Sequence, residues 1–181
     1  MRVFLLVLLS LGLAWAEPAW IELPEPSPAQ LDELHRALGV ENPPEHTANS
    51  VKALYYRPEL APLVVGLDRA SRAKLPARLY WLLAVEVSRA NGCDYCLSSA
   101  QGALTACGGG RPDAGEQTAL DYARKLTLAP GDTSPEDVRK LEEAGFEQDE
   151  IFEIALTVSW YNFMNRMARG LGYGPDHFHR F

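Results

Sequence analysis

Two of the three cysteines, Cys93 and Cys96, are separated by two residues in the stretch Asn91-Gly92-Cys93-Asp94-Tyr95-Cys96-Leu97-Ser98-Ser99-Ala100-Gln101. Asn91-Gly92 reads as a helix stop followed by a turn. The cysteines then stand at the mouth of the next helix, one turn apart on one face. Backbone N–H groups at a helix start favour a thiolate, the form that attacks disulfides and peroxides. Asp94 works the other way: a carboxylate between the two should raise a neighbouring thiol and make it a poorer nucleophile. Two thiols at this spacing can cycle between dithiol and disulfide, or form a permanent structural disulfide. A zinc site needs further Cys or His at ligand spacing, and none stands nearby. No metal and no cofactor is therefore expected. Cys107 is the odd cysteine, either a buried apolar filler or a partner for another chain.

The elements that position this stretch are helical. Ser27-Pro28-Ala29-Gln30 is a capped helix start with Leu31, Leu34 and Leu38 as its apolar stripe. A helix from about Thr47 to Arg57 follows, with Val51, Leu54 and Tyr55 inward. The next segment carries Pro58 and Pro62 near its start and runs through Leu63, Val64, Leu67 and Ala70. The strongest pattern is 76–90, with Leu79, Leu82, Leu83, Val85 and Ala90 on one side; it delivers the chain to the cysteines. The cysteine helix runs to about Ala106, and Gly108-Gly109-Gly110-Arg111-Pro112 stops it. Further helices span about 113–128, with Leu120, Ala123, Leu126 and Thr127 at helical spacing, and the short capped segment from Ser134 to Gly145. The last runs from Asp149 to about Leu171, with Ile151, Ile154, Ala155, Val158, Phe163 and Met167 inward. No stretch alternates as a strand does. The reading is an all-α bundle of about seven helices.

The 181 residues, 47% hydrophobic and 23% charged, suit one compact domain. The formal charge of −7 argues against a nucleic-acid partner, which needs a basic face. Residues 1–16 have the form of a secretory signal peptide: Arg2, an apolar run from Val3 to Leu13, then Ala14-Trp15-Ala16 as an A-x-A cleavage site. Cleavage after Ala16 leaves a single domain, 17–181, that is secreted or periplasmic, with no stable membrane insertion. An uncleaved anchor and a mis-chosen start codon are the alternatives. Export implies an oxidising compartment, where the pair can rest as a disulfide.

The chain resembles the alkylhydroperoxidase D-like, carboxymuconolactone decarboxylase superfamily in its peroxidase-related branch. The resemblance covers nearly all of 17–181. It is carried by Leu83 to Cys96, by Tyr122-Ala123-Arg124-Lys125-Leu126-Thr127 with Asp137, Leu141, Ala144-Gly145-Phe146 and Glu150-Ile151, and by Asn162-Phe163-Met164-Asn165-Arg166-Met167-Ala168 with Gly170-Leu171-Gly172. The opening Trp20-Ile21-Glu22-Leu23-Pro24-Glu25-Pro26 is also similar. It implies an all-helical fold assembled as a homo-oligomer, trimer or hexamer. It also implies thiol-dependent hydroperoxide reduction, with Cys96 attacking, Cys93 resolving and an external thiol reductant. The family pattern further places a Glu twelve positions before the first cysteine and a His four after the second, as a proton relay. Here those positions are Trp81 and Ala100, neither of which carries a proton.

With the relay absent, slow peroxide chemistry or disulfide exchange is expected. Other residues are weighed for the missing role. Glu86 lies among Ala84, Val85 and Val87, seven residues before Cys93; it is either a displaced relay acid or a salt-bridge partner of Arg89 or Arg166. Ser99 stands three after Cys96, where it can hydrogen-bond a thiolate or simply be solvated. Gln101 is one step round the helix from position 100. Tyr95 reads as packing. Asn162, Asn165 and Arg166 read as buried hydrogen-bonding residues that fix helix packing or line the site. His35 and His46 carry no assigned role, and His177 and His179 read as a solvated tail. The alternative is a non-catalytic helical scaffold or binding protein with a structural Cys93–Cys96 disulfide. A ligand-binding or decarboxylating relative with an incidental cysteine pair is a third reading.

Overall fold

The computed structural model describes residues 19–41 and 46–174. The proposed signal peptide, His177 and His179 lie outside them. Eight α-helices follow in order among the described residues, with no strand: α1 (Pro28–Ala37), α2 (Asn49–Lys52), α3 (Ala61–Ser71), α4 (Ala77–Ala90), α5 (Asp94–Ala106), α6 (Ala114–Leu128), α7 (Pro135–Glu143) and α8 (Gln148–Leu171). The helix expected over Thr47 to Arg57 is shorter. Its α-helical part is α2, and Ala53–Tyr56 continues as a 3-10 turn, because Pro58 disfavours helical geometry at Arg57 and leaves it at φ −138°. No described helix is long and apolar enough to cross a membrane.

Helix α4 is the centre. It buries Leu79, Tyr80, Leu82, Leu83, Ala84, Val85, Val87 and Ser88, which is most of its circumference. A helix apolar nearly all round must be covered on all sides, and α5, α6 and α8 do so. Capping boxes start several of the other helices, including the two capped starts expected at Ser27 and Ser134. Ser27 and Gln30 reciprocate at α1, Asp113 and Glu116 at α6, Ser134 and Asp137 at α7.

Helix α8 departs from its expected inner face. Ile151, Ile154 and Val158 are buried, but Phe163 is exposed and stacks on Trp160, while Met167 is only half-buried. The fully buried position on that turn is Asn165. It donates to Ser88 Oγ on α4 at 3.4 Å and accepts from Asn91 Nδ2 at 3.4 Å. Neighbouring Asn162 accepts from Asn91 at 3.0 Å and donates to Thr127 Oγ1 on α6 at 3.0 Å. Arg166 is exposed and donates to the Asn162 side chain at 2.6 Å. A ladder of amides therefore ties the end of α4, just before the cysteines, to α6 and α8. Likewise Leu63 and Leu67 on α3 face outward rather than into the core.

Candidate functional site

The α4–α5 turn is built as its residues dictate. Asn91 caps α4, and Gly92 takes φ +62°, the left-handed conformation that glycine enters without Cβ strain. Cys93 N–H closes back onto Ser88 O at 2.9 Å. Cys93 is the N-cap of α5, and its sulfur accepts from the backbone N–H of Cys96 at 3.4 Å. Its side chain thus takes the place of the usual Ser or Asp oxygen. Both cysteines are free thiols and both are buried, Cys93 at 1% exposure and Cys96 at 7%.

The two sulfurs are electrostatically unequal. The Cys96 thiol donating to Cys93 is the largest influence holding the Cys93 thiol below its ordinary range; burial opposes it, and the Cys96 N–H and Arg169 help. The hydrogen bond to Cys93, burial and the Cys93 charge together push Cys96 well above its ordinary range. Cys93 is therefore the more acidic sulfur of the pair and Cys96 the less acidic one. Asp94 does raise Cys93, but as the smallest influence. At Cys93 the α5 donors outweigh that carboxylate, so the net shift is downward.

One side of the pair is sealed. Cys93 and Cys96 pack in a small cluster with Ala53, Ala168 and Tyr173, backed by Ala19, Leu23, Tyr95 and Leu171. Tyr173 lies edge-on to Tyr95 at 5.6 Å between ring centres. Burial, with the Cys96 charge adding to it, pushes the Tyr173 phenol up to about 12. On the other side Cys96 opens onto a cavity of about 290 Å³ between α2, α3, α5 and α8. Its apolar wall includes Val51, Leu54, Val64 and Met164; Tyr95, Trp160 and Tyr161 give it aromatic surface. Asp68 and Arg72 are its charged groups, and Ser50 and Ser99 add hydroxyls.

The structure thus brings Ser99 to the same cavity as Cys96. Glu86 is held elsewhere, in ion pairs with Arg89 at 3.0 Å and Arg124 at 3.2 Å, and it does not line the cavity. Its partners are the expected Arg89 plus Arg124, in place of Arg166. Ala100 is core, at 1% exposure, and Gln101 is exposed. Trp81 packs partly buried against the core beneath the Arg72 guanidinium. Asp68, Arg72, Trp160, Tyr161 and Tyr173 were not singled out from sequence. The one signal was an Asp–Arg pair at i,i+4 spacing in an otherwise apolar α3. Among the described residues no group of three or more His, Cys, Asp or Glu converges as metal ligands would.

No protein-family model matches the chain, and no curated protein matches it. Solved structures do. A peroxidase-related protein from Silicibacter sp. TM1040 superposes with a TM-score of 0.76 at 23% identity, over 91% of this chain and 95% of that one. The chain has the AhpD-like fold. An alkylhydroperoxidase AhpD core protein from Ralstonia eutropha JMP134 follows with a TM-score of 0.71 at 22% identity, over 91% and 96% of the two chains. The debrominase Bmp8, in complex with 2,3,4-tribromopyrrole, has a TM-score of 0.67 at 20% identity, over 87% and 92%.

Proposed function

We propose that this AhpD-like protein is a thiol-dependent oxidoreductase that reduces hydroperoxides or exchanges disulfides through Cys93 and Cys96. The observation that carries the reading is the unequal dithiol: Cys93 is sealed and accepts the Cys96 N–H, while Cys96 faces the cavity. Cys93 then replaces the proton-handling residues that Trp81 and Ala100 cannot supply. Once Cys93 has lost its proton, the Cys96 proton passes to the Cys93 sulfur. The Cys96 thiolate attacks a hydroperoxide oxygen, the O–O bond breaks, and the departing alkoxide takes the proton back from Cys93. Cys93 thiolate then attacks the Cys96 sulfenic acid, the S–S bond forms and hydroxide leaves. Two electrons pass from the dithiol to the peroxide, giving alcohol and water at neutral pH, and an external dithiol restores the pair. The high Cys96 thiol makes the first step slow. A disulfide or a halogenated ring is an alternative electrophile for the same sulfur; the likeness to a debrominase and the aromatic wall support the latter. Export and homo-oligomeric assembly belong to the same proposal.

The burial of Cys93 favours a second reading, a non-catalytic scaffold in which the pair closes as a permanent disulfide. Hydroperoxide consumption with a dithiol donor separates the two. Under the first reading Cys96→Ser falls to the background of the reagents, and Cys93→Ser cannot recycle through the intramolecular disulfide. Equal rates for wild type and Cys96→Ser would contradict it.

A further inference from the structure

The α3 wall of the cavity holds a charged group that the cysteine chemistry does not use. Asp68 and Arg72 pair at 2.5 Å through Oδ2 and Nη2. The other Asp68 oxygen accepts the Trp160 indole N–H at 2.9 Å. Both carboxylate oxygens are thus engaged. A guanidinium, in contrast, carries five N–H donors in a planar fork. Arg72 has no hydrogen bond among the described residues besides that to Asp68. Its plane is held over the Trp81 ring at 4.8 Å and near Tyr80 at 5.7 Å, and 43% of its side chain stays accessible.

The cavity therefore offers an oriented cation with spare donors and few spare acceptors. Asp68 offsets the charge but leaves most of the fork unfilled. Trp81 contributes to this: a carboxylate at that position would compete for the same donors, whereas an indole braces the guanidinium and leaves them free. A ligand that completes the site must bring acceptor oxygens, and a planar carboxylate matches the fork. The remaining wall of Val51, Leu54, Val64, Met164 and Trp160 accepts an apolar body. At ~30 Å³ for a water-sized group, the 290 Å³ cavity has room for roughly ten such groups.

We propose that the cavity binds a compact apolar or aromatic carboxylic acid, its carboxylate on Arg72 and its body directed toward Cys96. This rests on the preceding reading only in making such an acid, bearing a hydroperoxide or another electrophile, the substrate class for Cys96.

Calorimetric titration of the full chain with benzoate and with benzyl alcohol tests it. Benzoate is expected to bind at least about ten-fold more tightly, the scale of a hydrogen bond to a charged group. Arg72→Gln should abolish that preference, and Arg72→Lys should reduce it by removing the fork while keeping the charge. Because Arg72→Gln also removes packing on Trp81, the wild type supplies an independent arm. Benzoate should protect Cys96 from iodoacetamide while leaving Cys107 alkylation unchanged, read by site-resolved mass spectrometry. Equal affinity for the two probes, a preference that survives Arg72→Gln, or an unprotected Cys96 would each overturn the proposal. Dithiol-dependent hydroperoxide turnover without benzoate binding would overturn this proposal and leave the preceding reading standing, so the two fail separately.

Discussion

At the scale of single residues, the site is two adjacent sulfurs of unequal acidity. Cys93 receives both the thiol and the backbone N–H of Cys96, so one donor residue sets the charge of the other. Ultraviolet titration of the reduced protein should therefore show two separate thiolate steps from the pair. The first lies below the ordinary thiol range and belongs to Cys93; the second lies well above it. Below the first step both thiols are protonated, and reactivity falls as pH falls through it. Cys96→Ala removes the S–H donor, so the first step should move upward. Two unseparated steps at the ordinary thiol range, read in a Cys107→Ala background, would show that the sulfurs are not coupled. The cysteine pair was legible because its chemistry is local: a turn, a cap and a spacing. Arg72 and Asp68 were not, since their meaning depends on Trp160, which lies 92 residues from Asp68 along the chain. No local pattern marks such a contact.

At the scale of elements, the cysteines are only as well placed as the end of α4. Asn162 and Asn165 hold that end through Asn91 and Ser88. Replacing fully buried Asn165 by Leu leaves the buried Ser88 hydroxyl without its side-chain partner and Asn91 with Asn162 alone. The expected cost is about 1–3 kcal/mol, a scale set by unsatisfied buried polar groups. Urea unfolding should show it as a lower midpoint at unchanged slope; an unchanged midpoint would remove the ladder's structural role. The same helix shows why its inner face was misread. An amphipathic stripe is defined by apolar residues, which puts Phe163 inside, whereas it stacks outside on Trp160; Asn162 and Asn165 do act as the hydrogen-bonding packing residues expected, while Arg166 is exposed. Helices whose buried side is wholly apolar, such as α4, were readable. Glu86 was half readable: ion pairing was one of its two expected roles, and Arg124 on α6 is a partner that only the packing of α4 against α6 reveals.

At the scale of the whole molecule, the all-helical architecture follows from α4, whose near-continuous apolar surface requires helices on every side. That much is encoded in periodicity and caps. The cavity is not, because it forms where α2, α3, α5 and α8 leave space between them. Its lining alternates between residues that look like ordinary core and residues that look like ordinary surface. The central claim is that the Cys93–Cys96 bond opens and closes in this setting, with Tyr173 sealing one side and the cavity the other. The reduction potential of the pair, equilibrated against glutathione or dithiothreitol buffers, tests it most directly. The account predicts a value among exchange-active dithiols, about −200 to −270 mV. A value below about −300 mV would place the pair with permanent structural disulfides and contradict it.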